Sequence, residues 1–234
     1  MLSLNIQPVE KQTRREDGSL EVVNIWRTIQ GEGPFAGTPA VFIRLAGCNL
    51  QCPLCDTNYT TGREFQTPLE VLHQVSLAKG PRRIRLLVLT GGEPFRQGLG
   101  PFFQETAAQG YCIQVETNGT LFDEEAILPL EDISIVCSPK TPRINEELLP
   151  YINAYKYVLS ADAVDCNDGL PTSALGMTAP PARPHLWFQG DVFVQPLDEQ
   201  DPDKNKRHLK AALDSCMRFG YRLSLQQHKL LGLE

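Results

Sequence analysis

The sequence contains no apolar run of about 18 residues, so nothing in it reads as a membrane span. It has no cluster of lysines or arginines, and its formal net charge is -6. Both speak against an extended nucleic-acid surface. The opening MLSLNIQPVEKQTRRED lacks the apolar centre of a signal peptide, so a cytoplasmic protein is the expectation. Histidine is scarce: His73, His185 and His208 show no metal-binding spacing, and His228 belongs to the tail run QQHK, where it is expected to help place the last strand. The seven cysteines are too few and too scattered in 234 residues for a secreted disulfide framework. Three of them are crowded, however. Cys48, Cys52 and Cys55 share the stretch GCNLQCPLCDT (47–57), with no fourth Cys or His beside them. In a reducing compartment, clustered thiols mean metal. Cys112, Cys137, Cys166 and Cys216 read as structural.

The length suits one domain with a real core. A polar lead-in covers residues 1–21, and the main domain runs over 22–234. Strand-like runs lie at 22–26, 40–47, 84–90, 111–119, 133–140, 155–162, 192–198 and 221–229. Helices are expected at 67–80, 99–109, 123–129, 144–153 and 204–219. The helix from residue 67 is the best marked: Thr67 is an N-cap, Pro68 fits the first turn, Glu70 completes a capping box and Gly80 stops it. Leu69, Leu72 and the neighbours of Val75 should form its apolar face. The alternation predicts an α/β fold, a parallel sheet covered by helices. Six or so units favour a partial (β/α)6-type barrel over a closed eightfold TIM barrel. In α/β barrels the C-terminal strand ends gather around one site. Here they carry Thr90-Gly91-Gly92-Glu93, Glu116-Thr117-Asn118, Ser138-Pro139-Lys140 and Gln195-Pro196. Residues 165–190, with four prolines, break the rhythm and read as a loop insertion at the surface.

Soft thiolates suit iron–sulfur clusters. Three protein ligands on a [4Fe-4S] cube would leave one iron open to a small molecule. A zinc site is the alternative, since structural zinc takes four ligands and Cys112 or Cys137 could add one from a distant strand.

The spacing CNLQCPLC is the CxxxCxxC motif of the radical S-adenosylmethionine superfamily. The longer stretch TIQGEGPFAGTPAVFIRLAGCNLQCPLCDT closely resembles the 7-carboxy-7-deazaguanine synthase family. The resemblance continues through TGGEP (90–94), ETNG (116–119), CSPK (137–140), VQPLD (194–198) and QQHK (226–229). It leaves out the lead-in and the 165–190 loop. The family's reaction converts 6-carboxy-5,6,7,8-tetrahydropterin to 7-carboxy-7-deazaguanine with release of ammonia, in queuosine and 7-deazapurine biosynthesis. Hydrogen abstraction at C6 starts a radical rearrangement that contracts the ring.

The resemblance implies roles residue by residue. Cys48, Cys52 and Cys55 would hold the [4Fe-4S] cluster. Gly92, Glu93, Ser138, Pro139 and Lys140 would meet S-adenosyl-L-methionine, with Glu93 near its ammonium. Thr57 would bind Mg²⁺ through its hydroxyl, the substrate supplying further oxygens. Ile29, Gln30, Gly31, Glu32, Arg44, Thr90, Glu116, Asn118, Gln195 and Glu234 would bind the pterin, Glu234 holding the position whose terminal carboxylate reaches the guanidine-like edge. Arg44 lies in an apolar strand, where it would either form a structural salt bridge or clamp the substrate carboxylate. Glu116 and Asn118 should share one side of their strand. An electron donor such as flavodoxin or ferredoxin is implied, and a homodimer, with no nucleic acid or membrane partner. Two rivals are a glycyl-radical-enzyme activating enzyme and a zinc-stabilised binding module.

Overall fold

The computed structural model describes residues 4–123 and 133–233. Among these, nine strands form one sheet in the order β3-β1-β2-β4-β5-β6-β7-β8-β9. From β2 onward every pairing is parallel. The long parallel strands are β2 (Pro39–Leu45), β4 (Leu86–Gly91), β5 (Cys112–Thr117), β6 (Ile133–Cys137), β7 (Ile152–Leu159) and β8 (Asp191–Pro196). These six make the partial barrel that the alternation predicts. Two antiparallel strands extend its first edge: β1 (Leu20–Ile29) and the three-residue β3 (Glu64–Gln66), the latter too short to show in the sequence.

Helix α1 (Pro68–Lys79) has the capping box the sequence announces, with Thr67 and Glu70 bonding each other's backbone. Its buried face is Val71, Leu72 and Val75; Leu69 points outward at 63% exposure. Helix α2 (Gly100–Ala108) and the long α3 (Pro202–Phe219) follow the expected ranges closely. Some expectations change. The helix at 144–153 is a short 3-10 turn, Glu146–Tyr151, because Pro150 removes a helical donor, and β7 has already begun at Ile152. The last strand shrinks to β9 (Arg222–Leu223), and Gln227–Leu230 is the one-turn helix α4. The helix expected at 123–129 falls, beyond Asp123, outside the described residues. The β6–β7 and β7–β8 connections carry no α-helix, so the helical cover is thinner than strict alternation implies.

The strands alternate between two faces. The outer face feeds one large apolar core that includes Ile43, Leu87, Leu89, Val115, Ile135, Tyr155 and Val194. The inner face has smaller apolar groups, Ala40 with Leu86 and Val88, and Val136 with Ala154 and Phe193. Polar residues share it with them, Glu116 in register with Val136 and Lys156 with Phe193.

The segments flanking this frame are ordered upon it. The lead-in bonds the cysteine-bearing loop at several points, Glu10 N to Cys48 O at 2.7 Å among them. Segment 165–190 is not confined to the surface. Leu170 and Ala174 are buried, and Leu175 O accepts from Leu54 N at 3.0 Å.

Candidate active site

A cavity of about 560 Å³ opens at the C-terminal ends of the parallel strands. The loop after β2 brings Cys48, Cys52 and Cys55 to its wall, with Thr57 beside them. Burial raises all three thiols, Cys48 to about 12. Among the described residues, no three Cys, His, Asp or Glu side chains converge tightly enough to hold one metal ion. The candidate fourth zinc ligands stand apart from the triplet. Cys112 opens β5, at the far end of the strands, and Cys137 is packed in the outer core. Three largely buried thiols on one wall of a cavity fit a multi-iron cluster with an open position better than a closed four-ligand ion.

Across the cavity, the inner-face residues of β1, β2, β4, β5, β7 and β8 meet. Glu116 is the hub. Its carboxylate accepts from Gln30 Nε2 (3.1 Å), Gln114 Nε2 (3.1 Å) and Thr90 Oγ1 (3.0 Å). Lys156 Nζ lies 3.8 Å from Glu116 and bonds Glu32 closely. Burial works against both charges of this pair. Nevertheless, the Lys156 ammonium and a bond from Gln226 hold Glu32 below the usual carboxylate range, and the two carboxylates hold Lys156 above the usual amine range.

Arg44 lies in register with Thr90 and reaches over the Trp26 ring, 4.9 Å from its centroid. Its buried Nε has no hydrogen-bond partner, and no carboxylate pairs with it among the described residues. The structural salt bridge weighed for it is therefore not formed there. Gln195 and Asn118 also line the cavity, Asn118 with its amide bonded to Asn49 of the cysteine loop at 3.0 Å. Glu116, near the end of β5, and Asn118, just beyond it, both line the cavity; Thr117 between them also reaches its wall, its hydroxyl bonded to Glu93.

The residues near the expected cofactor divide. Gly92, Ser138 and Lys140 line the cavity, and Lys140 Nζ donates to Ser138 O and Oγ, both at 2.6 Å. Glu93 and Pro139 lie beneath the wall. The Glu93 carboxylate is fully buried and already accepts from Thr117 Oγ1 (2.6 Å), Asn118 N (2.7 Å) and Phe95 N (3.1 Å); burial raises it to about 7. Gly92 must be glycine for a packing reason: a Cβ there would sit 1.8 Å from Gly47 O. Gly31 is likewise a seat for the tail, since a Cβ would sit 2.2 Å from His228 Nδ1. Ile29 and Gly31 do not line the cavity. Glu234 lies outside the described residues; Leu233, just before it, is on the wall.

Several wall residues escape the sequence-level choice: Lys156, Asp198, Gln226, His228 and Lys229. Lys156 could have been found, because a lone charge inside YKYVL is the same signal that marks Arg44 in AVFIRLAG. The others depend on the tail folding back. Lys229 Nζ bonds Asp198 at 2.8 Å, which holds the Asp198 carboxyl down at about 2.

Six parallel strands, three thiols from the loop after the first of them and a polar cavity at their C-terminal ends define a radical S-adenosylmethionine protein. Residues 42–159 match the family model described as Radical SAM superfamily. A 7-carboxy-7-deazaguanine synthase of Rhodospirillum rubrum is 43% identical over 224 residues, 92% of this chain and 93% of its own length. One of Rickettsia prowazekii is 40% identical over 93% of this chain and 91% of its own length. This chain belongs to the 7-carboxy-7-deazaguanine synthase family. The crystal structure of QueE from Escherichia coli shares the fold, with a TM-score of 0.65 and 20% identity, over 89% of this chain and 94% of that one. Membership leaves neither the glycyl-radical activating role nor the zinc module as a reading of this chain.

Proposed function

We propose that this protein converts 6-carboxy-5,6,7,8-tetrahydropterin to 7-carboxy-7-deazaguanine with release of ammonia, at the cavity above the parallel strands. One observation carries the assignment of substrate: the Arg44 guanidinium, with a buried Nε unpaired among the described residues, faces the same cavity as the three thiols. A buried donor without a partner is costly. A carboxylate-bearing ligand resolves it, and guanidinium geometry suits a carboxylate.

Cys48, Cys52 and Cys55 would hold a [4Fe-4S] cluster, and Gly92, Ser138 and Lys140 would border S-adenosylmethionine. Together these groups supply a reducing electron and a hydrogen-abstracting radical when bound. The chain's own residues orient and enclose. Arg44 holds the substrate carboxylate. Glu116 accepts from the N–H-rich edge of the pterin together with Glu32, which the Lys156 ammonium keeps ionised, while Thr90 and Gln30 fix the Glu116 carboxylate. Gln195 and Asn118 close the wall. Glu93 acts from beneath, ordering the ends of β4 and β5 through its three bonds. Thr57 offers one oxygen for Mg²⁺, so the substrate must complete the shell. The same reading calls for a one-electron donor of flavodoxin or ferredoxin type, a reducing cytoplasm and a homodimer as the working form.

The test is anaerobic reconstitution with iron and sulfide, followed by assay with the pterin, S-adenosylmethionine and Mg²⁺. The reading requires a brown protein, bleached by dithionite, that forms 7-carboxy-7-deazaguanine. A colourless protein, or a brown one that leaves the pterin unchanged, overturns it.

A further inference from the structure

The loop that carries the three cysteines has almost no regular structure of its own, so its backbone must find partners elsewhere. Many of them come from the N-terminal lead-in. Asn5 N donates to Pro53 O at 2.9 Å, and Asn5 Nδ2 to Cys52 O at 3.2 Å. Gln7 Nε2 donates to Thr57 O at 2.8 Å. Its Oε1 accepts from Tyr59 N at 2.8 Å and Thr60 Oγ1 at 3.1 Å. Gln51 Nε2 reaches back to Gln7 O at 2.6 Å, and Val9 forms an isolated bridge with Cys48. Further along, Gln12 Nε2 donates to Phe95 O at 2.8 Å, anchoring the segment beside the GGEP turn.

The pattern of side chains is inverted for a segment docked by apolar burial. Asn5 and Gln7 face the loop, whereas Leu4 (69% exposed) and Ile6 (89%) face solvent. Hydrophobic burial would have turned the segment the other way. What decides its orientation is the set of backbone groups at Cys52, Pro53, Thr57 and Tyr59 that need partners.

We propose that residues 5–12 are a strap that sets the geometry of the cysteine loop, with Gln7 as its chief positioning residue. Gln7 binds the chain immediately after Cys55 through both ends of its amide. It thereby fixes where the Cys55 ligand and the Thr57 hydroxyl stand. The proposal rests on the cluster reading of the cysteines, and it makes the lead-in part of the site without its touching substrate. Groups that orient ligands from behind carry effects of about 10–100-fold on metal retention.

The experiment compares full-length parent, Gln7→Ala and Ile6→Ala. Iron release from the reconstituted protein to a ferrous chelator should be about tenfold faster in Gln7→Ala. Ile6→Ala should match the parent. The reduced cluster should give one electron-paramagnetic-resonance species in parent and Ile6→Ala, and a mixture in Gln7→Ala. In the cluster-free proteins, amide exchange at residues 57–60 should accelerate in Gln7→Ala alone. Parent-like iron release and parent-like exchange in Gln7→Ala overturn the strap. Should Gln7→Ala not fold, Gln7→Glu keeps the acceptor for Tyr59 N–H and gives up the donor to Thr57 O; parent-like behaviour there overturns it equally. A parent that takes up no iron fails the cluster reading instead, and the exchange measurement still decides the strap.

Discussion

Ile43 and Arg44 are neighbours on β2, yet they live in different media. Ile43 is fully buried in the outer core, against the helices. Arg44 stands on the inner face over Trp26, with its Nε unpaired among the described residues. The same division runs along β4, where Leu89 packs outward and Thr90 bonds Glu116, and along β7, where Tyr155 and Tyr157 flank Lys156. The apolar core is concentrated on one face of the strands and the polar, cavity-lining side chains on the other, where the proposed function puts recognition. A buried Lys–Glu pair is a poor way to stabilise a sheet, since desolvation cancels much of its attraction. Its presence on the inner face marks a place kept polar for a ligand.

The largest expected effect is on the thiols. Cys52→Ala removes one of three anchors for the cluster, and iron content and turnover should both fall to background while thermal stability of the cluster-free protein hardly changes. Cys137→Ala, on the outer face, should do the opposite: full iron, and a melting point lowered by loss of packing in the core. Full iron in Cys52→Ala would break the division at its strongest point.

Next come the neighbours on β2. Arg44→Met should leave stability unchanged or raise it, because an unpaired polar atom disappears. The KM for the pterin should rise about a hundredfold, the scale of a lost charged contact of roughly 2–5 kcal/mol. Ile43→Ala should cost about 2–5 kcal/mol of stability and leave KM alone. Urea unfolding and steady-state kinetics on the two variants decide this; a parent-like KM in Arg44→Met removes Arg44 from the substrate site.

Lys156→Met tests whether the inner face can carry charge without compensation. Removing one partner of a buried pair costs roughly 3–5 kcal/mol. The pH response should also invert. In the parent, Glu32 is held below its ordinary value of 4.5. Its contribution is therefore present above that pH and lost as the pH falls through the folded pKa. In Lys156→Met, burial acts without the ammonium to oppose it, so the folded pKa of Glu32 rises above 4.5. Stability should then decline as the pH rises from about 4.5 towards neutrality. Thermal melts between pH 4 and 8 read the sign directly. Identical slopes in parent and variant would show that Lys156 does not govern Glu32.

These residues were unequally visible in the sequence. The thiols and the strand-end motifs are local in the chain, so spacing marks a thiol cluster and the family resemblance gives the motifs their roles, and period-two alternation puts Glu116 and Asn118 on one side. Arg44 stood out as a charge in an apolar strand; Lys156 sends the same signal, but two tyrosines around it made the run look like ordinary core. What could not be read depends on distant backbone meeting. Gly92 and Gly31 are small because Gly47 O and His228 press on them, and neither partner is near in sequence. The terminal run YRLSLQQHK alternates like a strand, yet Gln227 N donates to Gly31 O at 3.2 Å and the chain coils into α4. The lead-in looked inert because its working residues are Asn5 and Gln7, which carry no charge and match no motif.

The smallest predicted effect concerns Thr57, where the inner face meets the cysteine loop. Its hydroxyl lies on the cavity wall, 3.4 Å from Asp56 Oδ1, and its carbonyl is held by Gln7. One hydroxyl is a weak hold on a hard cation that keeps several other oxygens. Thr57→Ala should therefore leave cluster absorbance and melting temperature at parent values. It should raise the Mg²⁺ concentration for half-maximal turnover by about tenfold, the low end for lost metal-site interactions. Thr57→Ser, which keeps the oxygen, should restore the parent response, whereas Asp56→Asn separates the charge beside it from the hydroxyl itself. Titrating Mg²⁺ against initial rate in the three variants gives the answer. If Thr57→Ala responds to Mg²⁺ as the parent does, the hydroxyl is a turn residue's and the cation, if one binds, is held from elsewhere on the wall.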